Sequence, residues 1–248
     1  MATEWWQEFF SGVVLDMWQQ AIPPEHTRAE AEFIIGLLGL PPAARILDAP
    51  CGEGRIAREL AAKGYQTTGV DIAEEFLAAA RAAANQRHLR MDFQLADVRS
   101  LSFKGEFDAA ICWGNSFGFF DDAGNAGLLE SMARALRPGG RLVLDASSNA
   151  ESRLPNFRHR EWSRIGDILF LEENEYDHAR GRVITQYTFV RNGKEEKRTG
   201  SHRIYTYREI CRMIEAAGLE HVKSYASLSK EPFKLGANQL LMEASKAC

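Results

Sequence analysis

Between residues 45 and 145, short apolar runs alternate with segments of helical period, and no other feature limits the fold as much. The runs at 45–47, 67–70, 93–96, 107–112 and 141–145 have the length of buried strands rather than helices. Segments 55–63 and 73–86 read as helices. Leu128, Leu129, Met132, Ala133 and Leu136 mark another, stopped by Arg137-Pro138-Gly139-Gly140. Strands separated by helices in this order call for a parallel sheet with helices on both faces. Right-handed crossovers then bring every strand's C-terminal end to one side. The expected class is α/β, doubly wound.

The flanking segments read differently. Trp5, Trp6, Phe9, Phe10, Val13, Val14, Met17 and Trp18 place one broad aromatic stripe on a single helix, ended by Pro23 and Pro24. Thr27 and Glu30 have the spacing of a capping box, which predicts that a second helix begins there. From 160 to 207 the helical period fades. Antiparallel strands are predicted at 168–172, 183–190 and 198–207, turning at Ala179-Arg180-Gly181 and Asn192-Gly193. A helix over 207–217, stopped by Gly218, leads to two last strands near 221–226 and 239–243. The expected organisation is a helical cap (1–40), a ligand-binding core (41–150), an antiparallel insert or lid (151–206) and the C-terminal part of the core sheet (207–248).

Thirty Lys and Arg against thirty-four Asp and Glu give a net charge of −4 without a basic run, so the footprint of a nucleic-acid binder is missing and a small-molecule partner is expected. Cys51, Cys112, Cys211 and Cys248 lie far apart, in neither a metal-ligand spacing nor a disulfide framework, as expected of reduced thiols in a cytoplasm. The six histidines do not cluster, so no metal site is expected. No apolar stretch reaches the roughly 18 residues that would span a bilayer.

Residues 46–57 read ILDAPCGEGRIA. Gly52 and Gly54 let the backbone bend sharply and let a ligand press against its amides, while the helix that follows offers unpaired N–H groups. Asp71 ends the second strand, where a carboxylate accepts ribose hydroxyls; a nucleoside ligand is expected. Gly52 to Ala57 also fits G-x-G-x-x-A, the dinucleotide fingerprint. Three features point away from NAD: Asp48 before the glycines suits an ammonium group, Asp97 follows the third strand, and the chain ends in a helix and two strands.

The assembly ILDAPCGEGRIARELAAKGYQTTGVDIA, then LADV, FDAAICWGNSFGFF and LRPGGRLVLD, resembles the class I S-adenosylmethionine-dependent methyltransferases over roughly residues 30–150 and again at the C-terminus. The resemblance implies a Rossmann-like, mostly parallel seven-stranded sheet and S-adenosylmethionine as cofactor. It implies that Asp48, Cys51, Gly52 and Gly54 meet the methionine moiety. Asp71 and Ile72 then meet the ribose, and Asp97 and Val98 the adenine. Trp113, Gly114 and Asn115 fall where methyl group and acceptor meet. The family's common first glycine is replaced in Asp48-Ala49-Pro50-Cys51-Gly52, and Pro50 removes one donor amide. Arg28 is a candidate partner for the cofactor carboxylate. Trp6, Trp18, Phe117, His202 and Tyr205 are candidates for the acceptor, with the insert and the aromatic helix enclosing it.

The expected activity is N- or O-methylation of a small molecule. A non-catalytic S-adenosylmethionine-binding protein and a nicotinamide-dependent oxidoreductase are the rival readings. A homodimer through the insert's exposed edges is the rival use of that segment.

Overall fold

The computed structural model describes residues 4–248, so residues 1–3 of the 1–40 segment lie outside the described residues. The aromatic stripe is divided between two helices, α1 (Trp6–Phe9) and α2 (Val13–Ala21), because Gly12 between them takes a φ of 55°, outside the helical region. Helix α3 (Pro24–Leu38) begins three residues before the predicted box. Pro24 stands in the first turn, where proline's missing N–H costs nothing, so Thr27 and Glu30 lie inside the helix, both buried.

Strands β1 (Arg45–Asp48), β2 (Gln66–Asp71), β3 (Asp92–Leu95), β4 (Phe107–Cys112) and β5 (Leu136–Asp145) are parallel. They alternate with α4 (Arg55–Ala62), α5 (Glu74–Gln86) and α6 (Asp122–Ala135). A short α7 (Ala150–Arg153) follows β5. A second sheet of four antiparallel strands comes next: β6 (Arg160–Ile165), β7 (Ile168–Asp177), β8 (Arg182–Arg191) and β9 (Lys194–Arg203). Strand β6 is additional to the three predicted; its sequence, REWSRI, mixes charge with apolar residues and four of its six side chains are exposed. The predicted turns are present, with Gly181, Asn192 and Gly193 all at positive φ.

Helix α8 (Tyr207–Ala216) carries the chain's capping box: the Thr206 side chain accepts from the Glu209 amide and Glu209 accepts from the Thr206 amide. Strands β10 (Leu219–Tyr225) and β11 (Leu241–Lys246) complete the main sheet in the order β10-β11-β5-β4-β1-β2-β3. Strand β11 runs antiparallel to both its neighbours.

Alternation along the strands separates two cores. Leu47, Val70, Ala110 and Leu142 face Leu128, Met132 and Ile214 on one side. Ile46, Ala109, Ile111 and Val143 face Ile34, Leu38 and Leu60 on the other. A third cluster joins Phe9, Val14 and Met17 of the N-terminal helices to Phe76 of α5 and to Ile168 and Phe189 of the second sheet. The N-terminal helices are therefore wedged between the two sheets, beside the C-terminal edge of β1 to β3.

Candidate active site

At that edge the backbone builds a cradle. The Cys51 amide bonds to the Val70 carbonyl at 2.9 Å, carrying the loop after β1 across the end of β2. The Gly54 amide closes a turn onto the Cys51 carbonyl at 2.9 Å. Gly52 (φ 55°) and Gly54 (φ 72°) both adopt the left-handed conformation that the turn requires. A Cβ on Gly54 would come within 3.0 Å of Phe93 and 3.2 Å of Ala80, so this glycine also lets α4 approach β3 and α5.

Four carboxylates converge near this loop and differ in how they are engaged. Asp71 accepts the Gly52 amide at 2.7 Å and the Ala73 amide at 2.9 Å. Burial raises its pKa, and those amides together with that of Ile72 pull it back in part. Burial acts in the same direction on Asp97, but the hydrogen bonds and charge of Arg99, with nitrogen–oxygen distances of 2.6 to 3.0 Å, outweigh it and hold the carboxyl below its ordinary range. Glu53 pairs with Arg58 at 3.3 Å. Asp48 is 2% exposed and, among the described residues, no side chain donates a hydrogen bond to it. Burial pushes its pKa up to about 7; the Arg55 charge lowers it, the Asp71 charge adds to the rise, and the Ala57 amide pulls it back in part. A buried carboxylate that opens onto a cleft, with no side-chain donor among the described residues, suits a cationic ligand group.

A cleft opens above these groups, walled by the loops after β1 and β3 on one side and by aromatic rings on the other. Of the residues expected at the cofactor, Asp48, Cys51, Gly52, Asp71, Ile72, Asp97, Val98 and Trp113 line it. Gly54 lies beneath, in the turn. Asn115 is turned away: its side chain bonds Ser148 through Oγ (2.7 Å) and the amide (2.8 Å), and its own amide donates to Asp145 at 2.9 Å, tying the ends of β4 and β5 together. Arg28 is on the exposed face of α3 and does not line the cleft. The cation in the cleft wall is Arg55, which the buried Glu30 holds through a paired contact; Glu30 also accepts from Trp113 Nε1 at 2.8 Å.

Of the acceptor candidates, Trp6 and Trp18 line the cleft. Phe117 and Tyr205 pack against each other in the core, ring centroids 5.6 Å apart, where their apolar area is better buried than at a mouth. His202 Nε2 donates to the Asn115 carbonyl at 3.1 Å, and its ring lies 4.6 Å from that of Phe119, which stands in the cleft wall. Burial pushes its pKa down to about 4. No residue of β6 to β9 lines the cleft; the second sheet reaches it through the N-terminal helices, which supply Trp6, Phe10 and Trp18, with Ile22 just beyond. Sequence reading missed Phe10, Phe76, Phe119, Phe120, Arg55 and Ser116. The run FGFF carried a signal for two of them, apolar residues directly after the β4 loop.

Trp6 is held by a ring and a cation. Its ring lies 5.2 Å from that of Phe120, and the Arg99 guanidinium stands 5.0 Å from the Trp6 centroid and 4.8 Å from that of Phe120. Arg99 also pairs with Glu4 at 2.6 Å, so one cation joins α1 to the Asp97 end of the cleft.

Residues 46–140 match the model of a methyltransferase domain. The sheet order with its antiparallel β11, that domain and the acid-lined cleft define a class I S-adenosylmethionine-dependent methyltransferase fold. The family's cofactor is S-adenosylmethionine. An S-adenosyl-L-methionine-dependent Diels-Alderase, iccD, of Talaromyces variabilis is 36% identical over 178 residues, 66% of this chain and 59% of that protein. The ubiquinone biosynthesis O-methyltransferase of Xanthomonas oryzae pv. oryzae is 32% identical over 103 residues, 41% of this chain and 42% of that one. The chain thus spans about half the length of these curated relatives. A crystal structure of an S-adenosylmethionine-dependent methyltransferase from Clostridium acetobutylicum has the same fold, with a TM-score of 0.79 over 90% of this chain and 92% of that one, at 18% identity. Among the described residues no helix is long and apolar enough to cross a membrane, and no group of His, Cys, Asp and Glu is arranged to hold a metal.

Proposed function

We propose that this chain transfers the methyl group of S-adenosylmethionine to a small-molecule acceptor. The observation that carries the reading is the convergence of Asp48, Asp71 and Asp97 around the Gly52 loop, with Trp113 at the end of β4 beside them. Asp48 receives the ammonium group, Arg55 faces the carboxylate, Asp71 keeps lone pairs for the ribose, and Asp97 with Val98 borders the adenine. The sulfonium supplies an already activated methyl carbon. The protein's task is then to exclude water and to align the acceptor's lone pair at about 3–3.5 Å. Trp6, Phe10, Trp18, Phe119 and Phe120 form the remaining wall, and the acceptor lies against them. The second sheet and the N-terminal helices serve as a cover rather than as a source of reacting groups. Incubation with methyl-labelled S-adenosylmethionine and a panel of small acceptors tests this: S-adenosylhomocysteine and methylated product should accumulate one for one.

A second reading uses the same cofactor without consuming it, the sulfonium acting as a fixed cation in a rearrangement or cycloaddition. The match to the Diels-Alderase, longer than that to the O-methyltransferase, favours it. Conversion of an acceptor with the cofactor left intact would select this reading over transfer.

A further inference from the structure

The distribution of charge in the cleft restricts the acceptor further. Among the described residues every titratable group that lines it lies at the C-terminal edge of the parallel strands: Asp48 and Asp71 end β1 and β2, Cys51 and Glu53 are on the loop after β1, Arg55 begins α4, and Asp97 follows β3. Glu53, Arg55, Asp71 and Asp97 are already bonded to Arg58, Glu30, backbone amides and Arg99, and burial pushes the Cys51 thiol well up. Asp48 is committed to the cofactor's ammonium group in the reading above. The opposite wall, built by α1, α2 and the loop after β4, presents among the described residues rings, Ile22 and a single hydroxyl, that of Ser116, which donates to the Trp113 carbonyl at 3.4 Å. The His202 imidazole, packed behind Phe119, does not line the cleft and is engaged at Nε2 by the Asn115 carbonyl.

Among the described residues such a wall offers no base to take a proton from the acceptor, and only the Ser116 oxygen to receive the N–H groups of a newly formed ammonium. An amine would finish the reaction as a buried cation with unpaired donors, which is costly. An oxyanion or thiolate facing a sulfonium ends neutral, the change of charge that a poorly polar surrounding favours most. We propose that the acceptor is an apolar, planar molecule carrying an acidic hydroxyl or a thiol, which enters as its anion and is methylated on oxygen or sulfur without a protein base. The oxygen or sulfur lone pair forms the bond to the methyl carbon as the carbon–sulfur bond of the donor breaks and its electrons return to sulfur; the acceptor's proton has left to solvent beforehand. This inference rests on the methyl-transfer reading.

Two measurements test it. In the first, 4-nitrophenol is titrated by absorbance in the full-length protein loaded with S-adenosylmethionine, recorded before turnover, and again with S-adenosylhomocysteine. The bound phenol should ionise at least tenfold more readily with the sulfonium present than without it. Equal ionisation in the two complexes, or no binding, overturns the proposal. In the second, pH–rate profiles are compared for substituted phenols, thiophenols and anilines. The apparent pKa of kcat/KM should follow that of each phenol or thiophenol, and anilines should react at least a hundredfold more slowly. An apparent pKa fixed near 7 for every acceptor would identify Asp48 as a base, and preference for anilines would mark an amine site; either overturns this inference and leaves methyl transfer standing. No turnover of any series by protein that binds the cofactor overturns both.

Discussion

The Oδ2 atom of Asp71 accepts the Gly52 amide at 2.7 Å, so the carboxylate at the end of β2 holds the glycine loop that follows β1. One residue thus shapes the cradle and faces the ligand it receives. Asp71→Ala should weaken cofactor binding by about 1.5–3 kcal/mol, the range for hydrogen bonds to a charged group. It should also lower the melting temperature, because the Gly52 and Ala73 amides lose their acceptor. Calorimetric titration beside a melting curve checks both; unchanged affinity in a folded variant would reduce Asp71 to a loop anchor.

Asp48 links the site to pH. Its carboxyl titrates near 3.8 when the chain is unfolded and at about 7 when folded. The folded protein therefore holds the proton more tightly, and the stability this contributes is full below pH 3.8 and lost as pH rises through 7. Asp48→Asn removes that dependence, so the variant should gain on the ligand-free wild type between pH 5 and 8. An ammonium group bound at Asp48 favours the ionised form. Cofactor binding at pH 6.5 should therefore release a proton, and at pH 8.5 almost none. Calorimetry in buffers of different ionisation enthalpy reads this directly.

Glu30 holds Trp113 and Arg55 together from outside the matched domain. Removing one partner of a buried ion pair typically costs about 3–5 kcal/mol, so Glu30→Ala should melt markedly earlier and bind cofactor less tightly. Glu30→Gln still accepts from Trp113 and should lie between. Equal melting of all three proteins would contradict the pairing.

Gly54→Ala should destabilise the fold by about 1–2 kcal/mol, or roughly 2–8 °C, because its φ of 72° disfavours a side chain and the new Cβ crowds Phe93. Thermal melting checks it.

The parallel half of the fold was legible because buried strands and amphipathic helices differ in period, and β1 to β4 fall within about two residues of their expected ends. Local signals misled where tertiary context outweighed them. Thr27 and Glu30 have capping-box spacing, yet Pro24 starts the helix earlier and Glu30 serves Arg55 and Trp113; Thr206 and Glu209, with the same spacing, are the true box. The aromatic stripe concealed the break that Gly12 makes. At the site, the acids were readable because strand ends converge by topology alone. Which aromatic rings reach the cleft depends on how helices and loops pack: Phe10 and Phe119 enter it, whereas Phe117 and Tyr205 turn into the core.

The central claim is that the Asp48, Asp71 and Asp97 cleft holds S-adenosylmethionine, and thermal melting with single ligands tests it most directly. At 100 times Kd, S-adenosylmethionine or S-adenosylhomocysteine should stabilise the protein by about 2.7 kcal/mol, a rise of roughly 5–11 °C for a chain of this size, and NADH should leave the curve unchanged. A rise with NADH alone, or none with either adenosyl ligand, would contradict the account.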